Sequence, residues 1–189
     1  MLIAELTSGD DRRAEASIGC LKPYGSRLLP TLTPLLDSPD VDARWWAVRI
    51  LAELGDSEAP DLIIAALEDE DTSVRQCAAL AITQHGDARA TPGLVRLLSD
   101  PDSLLARLAA NALVSIGTPA TPPLLELLRD GKPLARFEAV RALALIGDPR
   151  AIPALMAVLE EDSTLMEYWA DEGLRRMGVG MVYFAPSGA

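Results

Sequence analysis

The 189-residue chain has one histidine, two cysteines and only 4% aromatic residues. One imidazole and two thiols are too few for a typical structural zinc site, and two thiols cannot build a disulfide framework. Basic side chains are also scarce: 17 Lys and Arg stand against 28 Asp and Glu, a formal net charge of −11. A chain this acidic lacks the cationic face by which nucleic acid or an anionic membrane is bound. Uninterrupted apolar stretches such as 62–67 fall far short of the ~20 residues of a membrane span. At the N-terminus the apolar run is broken by Glu5, and Asp10 and Asp11 follow, so it does not read as a secretory signal. The expectation is a cytoplasmic protein that uses Cys20 and Cys77 as small buried hydrophobes.

What the chain does have is alanine and leucine, 60 of the 189 residues, both good helix formers. It also has a repeat. Glycines stand at Gly25, Gly55, Gly86, Gly117, Gly147 and Gly178, 30 or 31 residues apart. Eight positions before each is a small residue: Ser17, Ala47, Ala78, Ala109, Ala139 and Ala170. Four before each is a large aliphatic: Leu21, Leu51, Ile82, Leu113, Leu143 and Leu174. These offsets share one helical face, and the glycine then ends the helix. Asp56, Asp87 and Asp148 follow the glycine as expected caps, and Pro60, Pro92, Pro122 and Pro153 mark the first turns of a second, shorter helix. An acidic turn restarts the cycle. The fold class predicted is all-α, an array of about five to six helical hairpins and some eleven to twelve helices. Residues 1–189 read as a single domain. It opens with a half repeat at 1–9, passes through an irregular Pro-rich first repeat, and ends in an apolar tail at 179–189. That tail is expected to fold back near Leu174 and Met177, which keeps the chain monomeric; covering the same face from a second chain gives a dimer.

The run from Asp71 through Val74-Arg75, Ala78-Ala79-Leu80 and Gly86-Asp87-Ala88-Arg89-Ala90 to Pro92 and Leu94 resembles the short HEAT-like repeats of phycobilin lyases and many prokaryotic scaffold proteins. The resemblance covers about residues 2–178. It implies a right-handed α-solenoid in which each repeat contacts its neighbours and the second helices line the concave side. It is specific for fold; the same repeat serves lyase subunits, adaptors and regulators.

Candidate chemistry is sparse. His85 stands alone, at the position where other repeats carry Leu54, Ile116 and Ile146, and reads as a partly buried helix-end residue. Some HEAT-type proteins are di-iron hydroxylases that need several His-Glu pairs; this chain has none. Arg44, Arg75 and Arg136 share a column eleven residues before the glycine and are expected to bind turn carboxylates or turn carbonyls among Asp40, Asp71, Asp102 and neighbouring turns. Trp45, Phe137 and Tyr168 share the next column, on a face at least partly exposed, where Trp45 can pack over Arg49 and Phe137 over Arg141. Between Glu53 and Asp71 there are eight acids, Glu58 and Asp61 among them, and no base, a polar surface for a basic or mixed-charge partner. The function expected is a non-catalytic scaffold that binds a protein or peptide on its concave face through Trp45, Phe137, Tyr168, Glu58, Asp61, Arg89, Arg96, Glu126 and Arg150. No metal, cofactor, nucleic acid or membrane is expected. The alternative implied by the resemblance is a bilin-lyase-type subunit, with Arg89, Arg96 and Arg150 as first candidates for the propionates of a tetrapyrrole.

Overall fold

A computed structural model of the chain describes residues 10–54, 59–161 and 163–179. Within them are eleven α-helices and no strand. The first helices of the hairpins are α1 (Asp11–Leu21), α3 (Val41–Leu54), α5 (Thr72–His85), α7 (Ser103–Ile116), α9 (Pro133–Ile146) and α11 (Thr164–Arg176). The second helices are α2 (Leu29–Leu36), α4 (Ala59–Ala65), α6 (Thr91–Leu97), α8 (Thr121–Asp130) and α10 (Ile152–Val158). The half repeat at 1–9, Gly55, Asp56 and Glu58, and the tail beyond Val179 lie outside the described residues.

The repeat's local chemistry explains each boundary. Asp71 and Asp102 accept hydrogen bonds from first-turn amides of α5 and α7, which satisfies donors that a helix start leaves orphaned. At the other end Gly86 takes φ +66°, which lets its N–H close on Ile82 O; a Cβ there would also lie 2.8 Å from Ser115 O. Asp87 and Asp148 then cap short 3₁₀ turns that lead into α6 and α10. The first repeat is irregular, as its prolines predict: a 3₁₀ segment (Lys22–Leu28) replaces a clean turn, and Pro34 sits inside α2.

The core is the aligned inner side of these hairpins. Leu51, Leu94, Leu113, Leu124, Leu143 and Leu155 are at most 1% exposed, each contributing about 1.5–3 kcal/mol by burial. The small-residue column is closed: Ala47, Ala78, Ala109, Ala139 and Ala170 are all at 0%, and Ser17 is at 5%. It lies where consecutive first helices pack on one another, α5 on α7 and α9 on α11. The approach is close enough that a Cβ on Gly173 of α11 would fall 2.7 Å from both Cα and Cβ of Ala144 on α9.

The second helices, seven to ten residues long against eleven to fourteen in the first helices, touch one another far less. The first helices form one layer of the stack, called inner for its closer packing, and the second helices form the outer one.

The arginine column ties the stack together through turn carboxylates and turn carbonyls, as expected, the carboxylates being supplied by neighbouring turns. Arg44 binds Asp69 through Nε and Nη2 at 2.8 and 3.0 Å and donates to Ser38 O at 2.9 Å. Arg75 reaches Asp69 O at 2.8 Å and Asp100 at 3.3 Å. Arg136 reaches Leu128 O at 2.8 Å and Glu161 at 2.6 Å. Every rung joins an arginine to the carboxylate 25 residues ahead. The expected Asp40, Asp71 and Asp102 instead accept from the backbone amides of Asp42, Ser73 and Leu105, so they are occupied as caps. Where α7 carries Ala106 in place of the arginine, Gly131 stands at the partner position, and both halves of that rung are missing together.

Candidate functional site

With no catalytic constellation in the sequence, the candidate site is a surface. On the exposed face of the first helices Trp45 and Phe137 are half-buried and Tyr168 is 59% exposed. Trp45 meets Trp46 edge to face, with ring centroids 4.8 Å apart, and Tyr168 meets Trp169 at 5.5 Å. Trp46 is buried and Trp169 half-buried, as their column predicts. The two tryptophans of α3 line an open groove of about 770 Å³ with Arg12, Glu15 and Ala16 of α1, Asp42 and Ser73.

The arginines expected beneath these rings have other work. Arg49 binds Glu53 at 2.7 Å and crosses to Glu15 of α1 at 3.3 Å. That hydrogen bond holds the Glu53 carboxyl below its ordinary range. Arg141 holds the buried Glu138 at 2.8 Å and crosses to Asn111 of α7 at 3.0 Å. Both clamp neighbouring inner helices, so they fix the face on which the aromatics stand.

The other candidates lie elsewhere. Asp61, Arg96 and Glu126 stand on the second helices, and Arg89 and Arg150 in the turns that lead into them. They stand on the outer layer, whereas Trp45, Phe137 and Tyr168 stand on the first helices. Glu58 is outside the described residues. The cations are paired: Arg89 with Asp87 and Asp61, Arg96 with Glu68, and Arg150 with Asp148. Arg150 holds the Asp148 carboxyl far below the usual carboxylate range, and Arg89 lowers Asp87 likewise. Glu126 is exposed and has no ion pair among the described residues. The acidic run before Asp71 is largely consumed in the same way, Asp69 and Glu70 by Arg44 and Asp71 as a cap.

Three further expectations resolve. Cys77 is buried, and desolvation pushes its thiol up to about 12. Cys20, expected buried, is exposed. A maleimide at pH 8 should therefore label Cys20 within minutes and Cys77 only on unfolding, a difference read by mass spectrometry; equal rates would contradict the packing of α3 against α5. His85 is exposed, with Nε2 3.4 Å from Ala52 O. Among the described residues no cluster of His, Cys, Asp and Glu is arranged to hold a metal ion, and no helix is long and apolar enough to cross a membrane. Sequence reasoning passed over one exposed set, Leu104, Leu134 and Leu165, although all three stand thirteen residues before a repeat glycine.

Comparison with known proteins agrees with this fold. A chain of the CpcE–CpcF complex of phycocyanin lyase from Nostoc sp. PCC7120 is 28% identical, with a TM-score of 0.59; the match covers 77% of this chain and 63% of that one, less than two thirds of its length. A designed armadillo repeat protein in complex with the peptide (KR)4 is 20% identical, with a TM-score of 0.56 and coverages of 93% and 98%. Human deoxyhypusine hydroxylase is 19% identical, with a TM-score of 0.55 and coverages of 94% and 72%. No curated protein matches the chain. The HEAT repeats family matches residues 29–114 and again 92–175, and with most of its length accounted for, the chain belongs to that family.

Proposed function

We propose that the chain is a non-catalytic scaffold that binds a protein or peptide on the inner face of its first helices. The observation that carries this reading is the column Trp45, Phe137 and Tyr168. Aromatic side chains recur at one register position on the tightly packed layer, where the clamps of Arg49 and Arg141 hold them in place. Tryptophan and tyrosine are the residues most enriched where binding energy concentrates. The outer-layer candidates support it less, because their charges are spent on one another.

The full chain, immobilised, tests the reading against a cell extract of its source. The variant Trp45→Ala/Phe137→Ala/Tyr168→Ala should lose a retained protein at least about tenfold. Asp61→Ala/Glu126→Ala on the outer layer should keep it. Retention indifferent to the inner triple change would sink the proposal.

A lyase-type role is favoured by one observation, the 28% identity to the phycocyanin lyase complex. It predicts that an added bilin gains a shifted visible absorption band in the presence of the chain, lost in Arg89→Ala/Arg150→Ala. An unchanged spectrum removes it.

A further inference from the structure

The hairpin of α3 and α4 does not close completely on the helix that follows it. Leu51 of α3, Ile63 and Ile64 of α4, and Ala81 and Ile82 of α5 line a cavity of about 180 Å³, with His85 and Asp87 at its edge. Leu51, Ile63, Ala81 and Ile82 are at most 4% exposed. His85 is exposed and Asp87 half-buried, so the cavity opens beside them.

The repeat explains the space. His85 holds the position directly before the glycine, where Leu54, Ile116, Ile146 and Met177 all pack against the core. The imidazole does not follow them. It turns to Ala52 O, with Nε2 at 3.4 Å, one of the carbonyls that the end of α3 leaves without a helical partner. An aliphatic side chain at this position closes the seam between a hairpin and the next first helix; the histidine leaves it open.

The void has the size and chemistry of a ligand site. An apolar cavity of roughly 150 Å³ stays dry and takes up a benzene ring, so this one holds a single ring with a small substituent. Binding pockets join an apolar lining to a few polar groups that fix orientation. His85 is such a group: an imidazole both donates and accepts, and its contact with Ala52 O is long. The charged groups beside the mouth are Asp87, Asp61 and Arg89, which pair with one another. Two carboxylates against one guanidinium disfavour an anionic ligand.

We infer that this cavity binds a small neutral ring compound with one hydroxyl group, of the chemical class of phenol. Its ring lies against Leu51, Ile63 and Ile82, and its hydroxyl meets His85. The site goes beyond the proposed function and does not depend on it, because none of Trp45, Phe137 and Tyr168 lines the cavity.

His85 is the only histidine in the chain, so the untagged full chain gives one imidazole Cε1–H resonance in a proton–carbon NMR spectrum. Phenol is the probe, and benzoate is the anionic ring of similar size. Phenol should shift that resonance along a saturable curve with a midpoint on the order of 1 mM. Benzoate should need a concentration at least about tenfold higher. Ile64→Phe, which puts a ring into the cavity and keeps His85, should remove the saturable shift. His85→Ile, which fills the position as Ile116 and Ile146 do, should raise the melting temperature and abolish saturation transfer from the protein to phenol. A shift that stays linear in phenol, benzoate binding as tight as phenol binding, or phenol binding kept in His85→Ile overturns the inference.

Discussion

Arg44→Ala is expected to destabilise the chain by about 3–5 kcal/mol, the cost of leaving one member of a buried ion pair alone. The Arg44 side chain is 6% exposed and Asp69 11%. The hydrogen bonds that Arg44 donates to Asp69 raise the Arg44 pKa above its ordinary value. Removing the guanidinium strands that carboxylate and Ser38 O in the turns between hairpins. The effect should fall along the stack with exposure. Arg75 and Asp100, both 16% exposed, should give an intermediate loss, and Arg136 with Glu161, 29% and 37% exposed, about 1 kcal/mol or less. Urea denaturation followed by helical circular dichroism measures all three. Equal losses, or a loss below about 1 kcal/mol at Arg44, would mean that the rungs do not hold the hairpins together.

Ala109→Leu should cost about 3 kcal/mol by overpacking, near the upper end for inserted methylenes. Ala109 is at 0% exposure on α7, which packs directly on α5 and α9. Three added carbons must push the first helices apart, and the ladder resists that movement. Leu104→Ser on the same helix, at a 53% exposed site, should stay within about 0.5 kcal/mol of wild type. A tolerated Ala109→Leu would show that the inner layer is loosely packed.

The glycine spacing and the alanine column made the hairpins and their contact face legible in the sequence, because a fixed register repeats one local solution. The alanines that permit close approach of the first helices, Ala78, Ala79 and Ala81 on α5 and Ala109, Ala110 and Ala112 on α7, were legible in the same way. The choice of Asp69 over Asp71 was hidden because both acids occupy one turn; only the cap geometry shows which is engaged. Cys20 failed for a related reason. Its column faces the preceding first helix, as Gly173 faces Ala144, and α1 has no such predecessor among the described residues. Among the site residues, the aromatic column was legible. The pairing of the outer charges was not legible, because residues such as Asp61 and Arg89 are distant in sequence and pair across repeats.

The central claim is that binding takes place on the inner layer of first helices. A photo-crosslinking residue placed at Tyr168, 59% exposed on that layer, and separately at Met156, 51% exposed on the outer one, tests it in cells of the source. Crosslinks to a discrete partner at position 168 and none at 156 are the expected result. Crosslinks at 156 with none at 168 would place the partner on the second helices and contradict the claim.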